Sequence, residues 1–241
     1  MNKIELAIAK IKNRISRLAY IGSARLCPLC GKSSSRFIPH GEPTRLDVIC
    51  PVCGSFERHR FLWLYLTGET DILKNGKSRV LHIAPELSLE KAFRSAFGTG
   101  YITADLENPG AMVQMDITAI DYPDESFDGI ICSHVLEHVQ EDRIALRELL
   151  RVLDRKGWAL LVVPITAQET FEDPSITDPG ERLRLFGQVD HVRRCGNDYV
   201  QRIKDAGFRV ETVRAKDFLT EQEILKYGLA LISEELYFCT R

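Results

Sequence analysis

"DESFDGIICSHVLEHVQEDRIALRELLRVLDRKGWALLVVP", residues 124–164, decides the fold. Within it, "SFDGIICS" and "GWALLVVP" read as short, mostly buried strands, and "EDRIALRELLRVL" between them as a helix. Strand, helix and strand in succession is the unit of a parallel sheet with helices on its faces. The alternation continues outward on both sides. "SRVLHIA", "GYITAD" and "AMVQMD" are strand-like before it, with "SLEKAFRSAF" as a helix. "NDYVQRIKDAG" is helical after it, and "GFRVETVR" and "ELYFCTR" supply two last strands, the final one expected to be antiparallel. The expected class from residue 78 onward is therefore α/β.

In such sheets ligands bind at the carboxyl ends of the strands, beside the point where strand order reverses. Asp105 ends "YITAD", about twenty residues beyond the first strand, where a carboxylate can accept both hydroxyls of an adenosine ribose. Met115-Asp116-Ile117 follows the third strand. An acid flanked by apolar residues suits an adenine, whose amino group needs an acceptor and whose faces need apolar contacts. Taken singly, either acid is equally a cap or turn residue.

Residues 78 to 164 resemble a class I S-adenosylmethionine-dependent methyltransferase of the type 11-like kind. "VLHIAPE", "YITADL", "MDIT" and above all the stretch 124–164 are similar to successive motifs of that family. The resemblance implies a Rossmann-like methyltransferase sheet, mostly parallel with an antiparallel last strand, and S-adenosylmethionine as cofactor. It implies that Asp105, with Leu106 beside it, binds the ribose, that Asp116 and Ile117 frame the adenine, and that Cys132, Ser133 and His134 line the methionine end.

The first loop, "VLHIAPELS" at residues 80–88, departs from the family pattern. His82 takes the place of the family's acid, and Ala84 and Glu86 take its glycine positions. Pro85 removes an amide donor and Glu86 adds a bulky charge. S-adenosylmethionine has no phosphate, and its sulfonium and ammonium are cationic, so a carboxylate here can be favourable. A degenerate, non-binding loop is the alternative.

Methyl transfer needs alignment, and a base only when the acceptor must lose a proton as it attacks. His134, after the fourth strand, is the first candidate, with helix capping as its plain alternative; His138, a helical turn on, reads as a packing residue. A long connection at 165–196 has the length of a lid or binding element. It holds Phe186, Gln188, Asp190, Arg193 and Arg194 as candidates for acceptor recognition and His191 as a second candidate catalytic base; a solvated loop is the alternative.

The front third carries different chemistry. Cys27-Pro-Leu-Cys30-Gly and Cys50-Pro-Val-Cys53-Gly repeat one pattern, with nineteen residues between Cys30 and Cys50. Two such knuckles supply four soft ligands for a tetrahedral, structural Zn2+ site, leaving no open position for catalysis. The polar segment between them, with strand-like pieces around Phe37 and Val48, is too small to fold on core burial, and metal would supply the stability. Cys132, Cys195 and Cys239 are left as buried free thiols. Before the knuckles, Ile4, Ile8, Ile11, Ile15 and Leu18 form one helical stripe, with Lys3, Lys10, Lys12, Arg14 and Arg17 largely elsewhere. "SFERHRFLWLYLTGETDIL" after them is expected to be a helix capped by Ser55, with His59 a surface or packing residue.

Three parts are thus expected: an amphipathic helix at 1–24, a zinc ribbon at 25–56, and a methyltransferase domain at 57–241 with a lid-like insertion at 165–196. Net charge is −2, but residues 1–66 carry eleven Lys/Arg against four Asp/Glu, and residues 67–241 carry twenty-one against thirty. The basic part either docks on the acidic one or meets an anionic partner. No apolar run long enough for a membrane span and no signal-peptide pattern is present, so a soluble, cytoplasmic protein is expected. The leading expectation is methyl transfer to an oxygen or nitrogen of a small-molecule or sugar-like acceptor. RNA methylation, with the ribbon and basic helix on ribosomal or transfer RNA, ranks second. A non-catalytic zinc-bound scaffold is the reading from another class, and the N-terminal helix could pair two copies.

Overall fold

The computed structural model describes residues 18–41, 44–74, 78–230 and 235–241. The amphipathic stripe Ile4–Ile15 and its basic residues lie outside the described residues. The chain forms two units, one from the described residues up to 72 together with 215–230, the other from 73–214 together with 235–241. This differs from the expected boundary at residue 57. The helix after the knuckles belongs to the first unit, and the chain returns to that unit near its end.

In the first unit, β1 (Arg25–Cys27) pairs antiparallel with β2 (Lys32–Ser34), and β3 (Ile38–His40) with β4 (Arg45–Ile49). Helix α1 spans Glu57–Gly68. Its apolar face includes Phe61, stacked on Phe218 at 6.1 Å, but its largest fully buried side chain is a charge. Arg60, 0% exposed, donates from Nη1 to the carbonyls of Val48 and Ser55 and from Nε to that of Tyr227, each at 2.8 Å. Its Nη2 reaches Asp47 and Gly228 carbonyls at 3.1 and 3.0 Å, and its guanidinium lies 4.3 Å from the Phe37 ring centre. A buried guanidinium is tolerated when its donors are met. Here they tie the helix to the ribbon and to residues 227–228.

Ser55 is not the helix cap. Phe56 holds that position, its N–H donating to His59 Nδ1 at 3.2 Å. Ser55 Oγ lies instead 3.2 Å from Cys27 Sγ and 3.3 Å from Cys53 Sγ. A hydroxyl beside thiols is drawn to them in preference to a helix N–H one residue out of register.

The second unit is built on a seven-stranded sheet ordered β13-β14-β9-β8-β5-β6-β7. Its members are β5 (Val80–Ile83), β6 (Tyr101–Asp105), β7 (Val113–Gln114), β8 (Phe127–Ser133), β9 (Leu153–Val162), β13 (Arg209–Val213) and β14 (Leu236–Thr240). β5 to β9 run parallel, and β14 lies antiparallel between β9 and β13. Continuously buried strands such as β5 are what a parallel sheet covered on both faces requires. The covering helices are α2 (Leu87–Phe97), α3 (Asp142–Val152) and α5 (Tyr199–Asp205). Leu146 and Leu149 of α3 and Ile203 of α5 pack with Leu81, Ile130 and Leu161 of the sheet. Gly129 stands opposite Trp158 in the β8–β9 pairing, and a Cβ there would sit 2.3 Å from the indole; the sheet closes because that position has no side chain.

Two expectations change. "AMVQMD" contributes only Val113–Gln114 as strand. The connection 165–196 is largely structured: β10 (Ile165–Ala167), β11 (Phe171–Glu172) and β12 (Arg193–Gly196) form a second sheet ordered β10-β12-β11, with α4 (Pro179–Phe186) between β11 and β12. Asp178 caps α4 by accepting from Glu181 N–H at 2.9 Å.

Candidate active site

β5 is the pivot of the sheet, with β6 on one side and β8 on the other. The carboxyl ends of these three strands open onto a cavity of about 520 Å³, within the range of small-molecule sites. Ile83 and Ala84, Asp105 to Glu107, Met115 to Ile117, His134 and Val135, His138 and Val139, and Asp190 line it. Four of these side chains are carboxylates and none is lysine or arginine, so the wall favours a cationic ligand and disfavours a phosphate.

Asp105 is fixed at the end of β6 because its Oδ1 accepts from the N–H groups of Glu107 and Asn108 at 2.9 and 2.8 Å. Its Oδ2 takes no hydrogen bond among the described residues. Asp116 is held the same way, Oδ1 accepting from Thr118 N–H at 2.8 Å and from its hydroxyl at 2.7 Å. Met115 and Ile117 are buried on either side, and Leu106 stands 55% exposed at the rim. Two carboxylates held at successive strand ends, with apolar side chains beside them, thus face one cavity.

The first loop keeps a glycine-like backbone without glycine. Ala84 has φ +46°, a left-handed conformation that costs an L-residue about 1–2 kcal/mol. Its N–H donates to Ala104 O at 2.7 Å. His82 is fully buried and lies outside the cavity wall. Its Nδ1 lies 2.6 Å from Tyr101 Oη and its Nε2 3.1 Å from Glu86 Oε2. An ionised carboxylate only accepts, so Nε2 donates to Glu86 and Nδ1 accepts from the tyrosine hydroxyl. Burial pushes the Tyr101 hydroxyl well above the ordinary tyrosine range. Glu86, first in line at the start of α2, is thus held by His82, and it too lies outside the wall.

Of the expected methionine-end residues, His134 lines the cavity, at φ +55° where the chain leaves β8. Ser133 is 4% exposed and outside the lining. Cys132 belongs to the apolar core, where burial drives its thiol far above the ordinary cysteine value.

The structure draws His138 and Asp190 into the same wall, 3.3 Å apart from Nδ1 to Oδ2. His191 follows behind them, 4% exposed, its ring edge-on to that of His138 with centres 4.6 Å apart. Its Nδ1 donates to Phe186 O at 3.2 Å, and burial holds its basicity below the ordinary histidine value. Glu137, which sequence reasoning passed over, is 0% exposed with Oε1 3.2 Å from His134 Nδ1. An acid inside the apolar run "VLEHV" was the signal available.

The two arginines of this region do different work from the forks expected for an acceptor. Arg193 is 1% exposed; its Nη1 donates to Leu136 and Val139 carbonyls at 2.6 Å each and its Nη2 to Gln140 O at 2.8 Å. It fixes the turn that carries Glu137 and His138. Arg194 is exposed and donates to Thr166 O at 2.6 Å. Phe186 is buried against Phe171, while Gln188 is exposed; none of these four lines the cavity.

In the first unit, Cys27, Cys30, Cys50 and Cys53 bring one sulfur each to within 4.8 Å of one another. Cys27 Sγ is 3.6 Å from Cys53 Sγ, and Cys30 Sγ 3.9 Å from Cys50 Sγ. Tetrahedral ligands at a Zn–S distance of about 2.3 Å stand roughly 3.8 Å apart, so the spacing fits the ion. Burial and the neighbouring thiolates push the Cys30 thiol up to about 12, the frustration a divalent cation relieves.

Residues 80–161 match the family model described as a methyltransferase domain. A 75-residue segment is 35% identical to an uncharacterized methyltransferase, YcgJ, of Bacillus subtilis; it covers 31% of this chain and 28% of that relative. The solved structure of YcgJ superposes with a TM-score of 0.44 at 18% identity, covering 76% of this chain and 99% of that one. A SAM-dependent methyltransferase from Archaeoglobus fulgidus gives 0.48 at 14% identity, covering 78% and 95%. Among the described residues no helix is long and apolar enough to cross a membrane.

Proposed function

Starting from a methyltransferase domain over residues 80–161, we infer that the chain transfers the methyl group of S-adenosylmethionine to an oxygen or nitrogen of a small-molecule or sugar-like acceptor. The observation that carries this is the cavity itself: Asp105 and Asp116 stand at successive strand ends in a wall that also holds Glu107 and Asp190 and has no basic side chain except histidine. Bound S-adenosylmethionine supplies an electrophilic methyl group on a sulfonium. Asp105 accepts the ribose hydroxyls, Asp116 the adenine amino group, and Met115, Ile117 and Leu106 cover the base. His134, on the same wall, orients the acceptor or takes its proton, with Glu137 behind it to stabilise the charged imidazole.

The four sulfurs hold a structural zinc ion. Phe37, the one aromatic residue between the knuckles, is 1% exposed beneath Arg60, so it cannot stack on a base, and RNA is the weaker partner. The test is calorimetry: S-adenosylmethionine should bind to the wild type and be lost, or weakened at least tenfold, in Asp105→Ala with the fold intact. Unchanged binding would remove this reading.

A further inference from the structure

We propose a second metal site, for a divalent transition metal such as zinc, formed by Glu137, His138 and His191. One ligand atom from each lies within 4.8 Å of the others. Two imidazoles and a carboxylate are the donor set of open, reactive metal centres, in contrast to the closed four-thiolate set of the ribbon.

Three further observations point to a ligand. Neither oxygen of Glu137 takes a hydrogen bond among the described residues, although the side chain is 0% exposed. A buried carboxylate is costly without a cation or donors around it, and His134 Nδ1, at 3.2 Å from Oε1, offers only one contact. His191 Nε2 is also buried without a partner. Its tautomer is set by the bond from Nδ1 to Phe186 O, which leaves the lone pair on Nε2. A backbone carbonyl behind the far nitrogen is the usual support of a metal-bound imidazole. Finally, the two sequence-distant halves of the site are locked together. Val192 N–H donates to Glu137 O at 2.9 Å, and Arg193 holds the carbonyls on both sides of the Glu137–His138 turn.

His138 lines the cavity, so an ion there keeps open coordination positions toward it. A hydroxyl bound to such an ion loses its proton more readily, whereas an amine would have its attacking lone pair occupied. The acceptor atom is then oxygen. This role rests on the methyltransferase reading; the metal site does not.

The test is zinc content per chain after saturation with Zn2+ and exhaustive dialysis, in wild type, Glu137→Gln and His138→Ala. Glu137→Gln keeps the shape of a buried residue, and His138 is partly exposed, so one variant covers the other if folding suffers. Each folded variant should hold one equivalent less than wild type. A zinc content equal to wild type in either folded variant overturns the site. Binding of S-adenosylhomocysteine, measured in parallel, separates this outcome from failure of the methyltransferase reading.

Discussion

His82 holds Glu86 by its Nε2, 3.1 Å from Oε2, while its Nδ1 accepts from Tyr101. The histidine standing where the resembled family carries a loop acid thus contacts an acid four residues further on. Deleting the imidazole removes the partner of the buried Tyr101 hydroxyl and one of the contacts of Glu86, each loss costing about 1–3 kcal/mol. His82→Leu should lower unfolding free energy by about 2–4 kcal/mol in urea titration. A loss under about 1 kcal/mol would mean that the two contacts are not formed.

Glu86→Gln separates two roles for the charge. If the carboxylate acts on the sulfonium, S-adenosylmethionine should weaken more than its uncharged-sulfur product; if it only anchors the loop through His82, both should weaken alike. Calorimetry with both ligands decides. Glu86 lies outside the cavity wall, and the expected result is equal weakening.

Ala84 occupies a left-handed position. Glycine removes strain of about 1–2 kcal/mol and adds unfolded-state entropy of about 0.5–1 kcal/mol. Ala84→Gly should therefore leave stability equal or raise it by up to about 1.5 kcal/mol. A clear fall in melting temperature would show that the backbone is not held as described.

Much of this site was legible because strand ends in a doubly wound sheet are fixed by topology. Asp105 and His134 follow strands whose apolar runs are unambiguous, Asp116 and Ile117 follow the two-residue β7, and all four line the cavity. Arg193 was misread because an arginine in a polar stretch looks like an anion fork; only the tertiary fold reveals backbone carbonyls at 2.6 Å around it. Glu137 and Arg60 were passed over for the opposite reason. Each is a single charge inside an apolar segment, and its partners come from distant positions that no local pattern encodes. The boundary of the first unit was hidden likewise, since residues 215–230 carry no motif that ties them to the ribbon.

Arg60→Ala should be among the most destabilising changes in the first unit. It strips donors from the carbonyls of Asp47, Val48, Ser55, Tyr227 and Gly228, and breaking such a buried polar hub costs roughly 3–5 kcal/mol. Arg60→Lys, lacking the planar fork, should recover only part of it. Zinc retention against a chelator and thermal melting are the readouts, and an unchanged melt for Arg60→Ala would refute the role.

Glu172 is held at about 2 by hydrogen bonds from Arg202 and Arg193, with Arg202 Nη2 at 2.9 Å. Its folded value lies below its unfolded one, so its stabilising contribution is complete above about pH 4.5 and disappears as pH falls toward 2. Partial exposure limits the size of the effect. Wild type and Glu172→Gln should differ in stability at pH 6 and converge near pH 2. A gap that persists at pH 2 would assign the difference to packing.

The guanidinium of Arg60 finds its last acceptor 168 positions later in the chain, at Gly228. On a ribosome adding about 5–20 residues per second, those positions take roughly 8–34 s to appear. During that interval the nascent ribbon carries its cysteines but lacks two of the carbonyls that receive its buried cation. An N-terminal fragment ending before residue 215 should therefore melt below the finished chain, and on the zinc assignment proposed above its stability should depend on added Zn2+ far more than that of the finished chain.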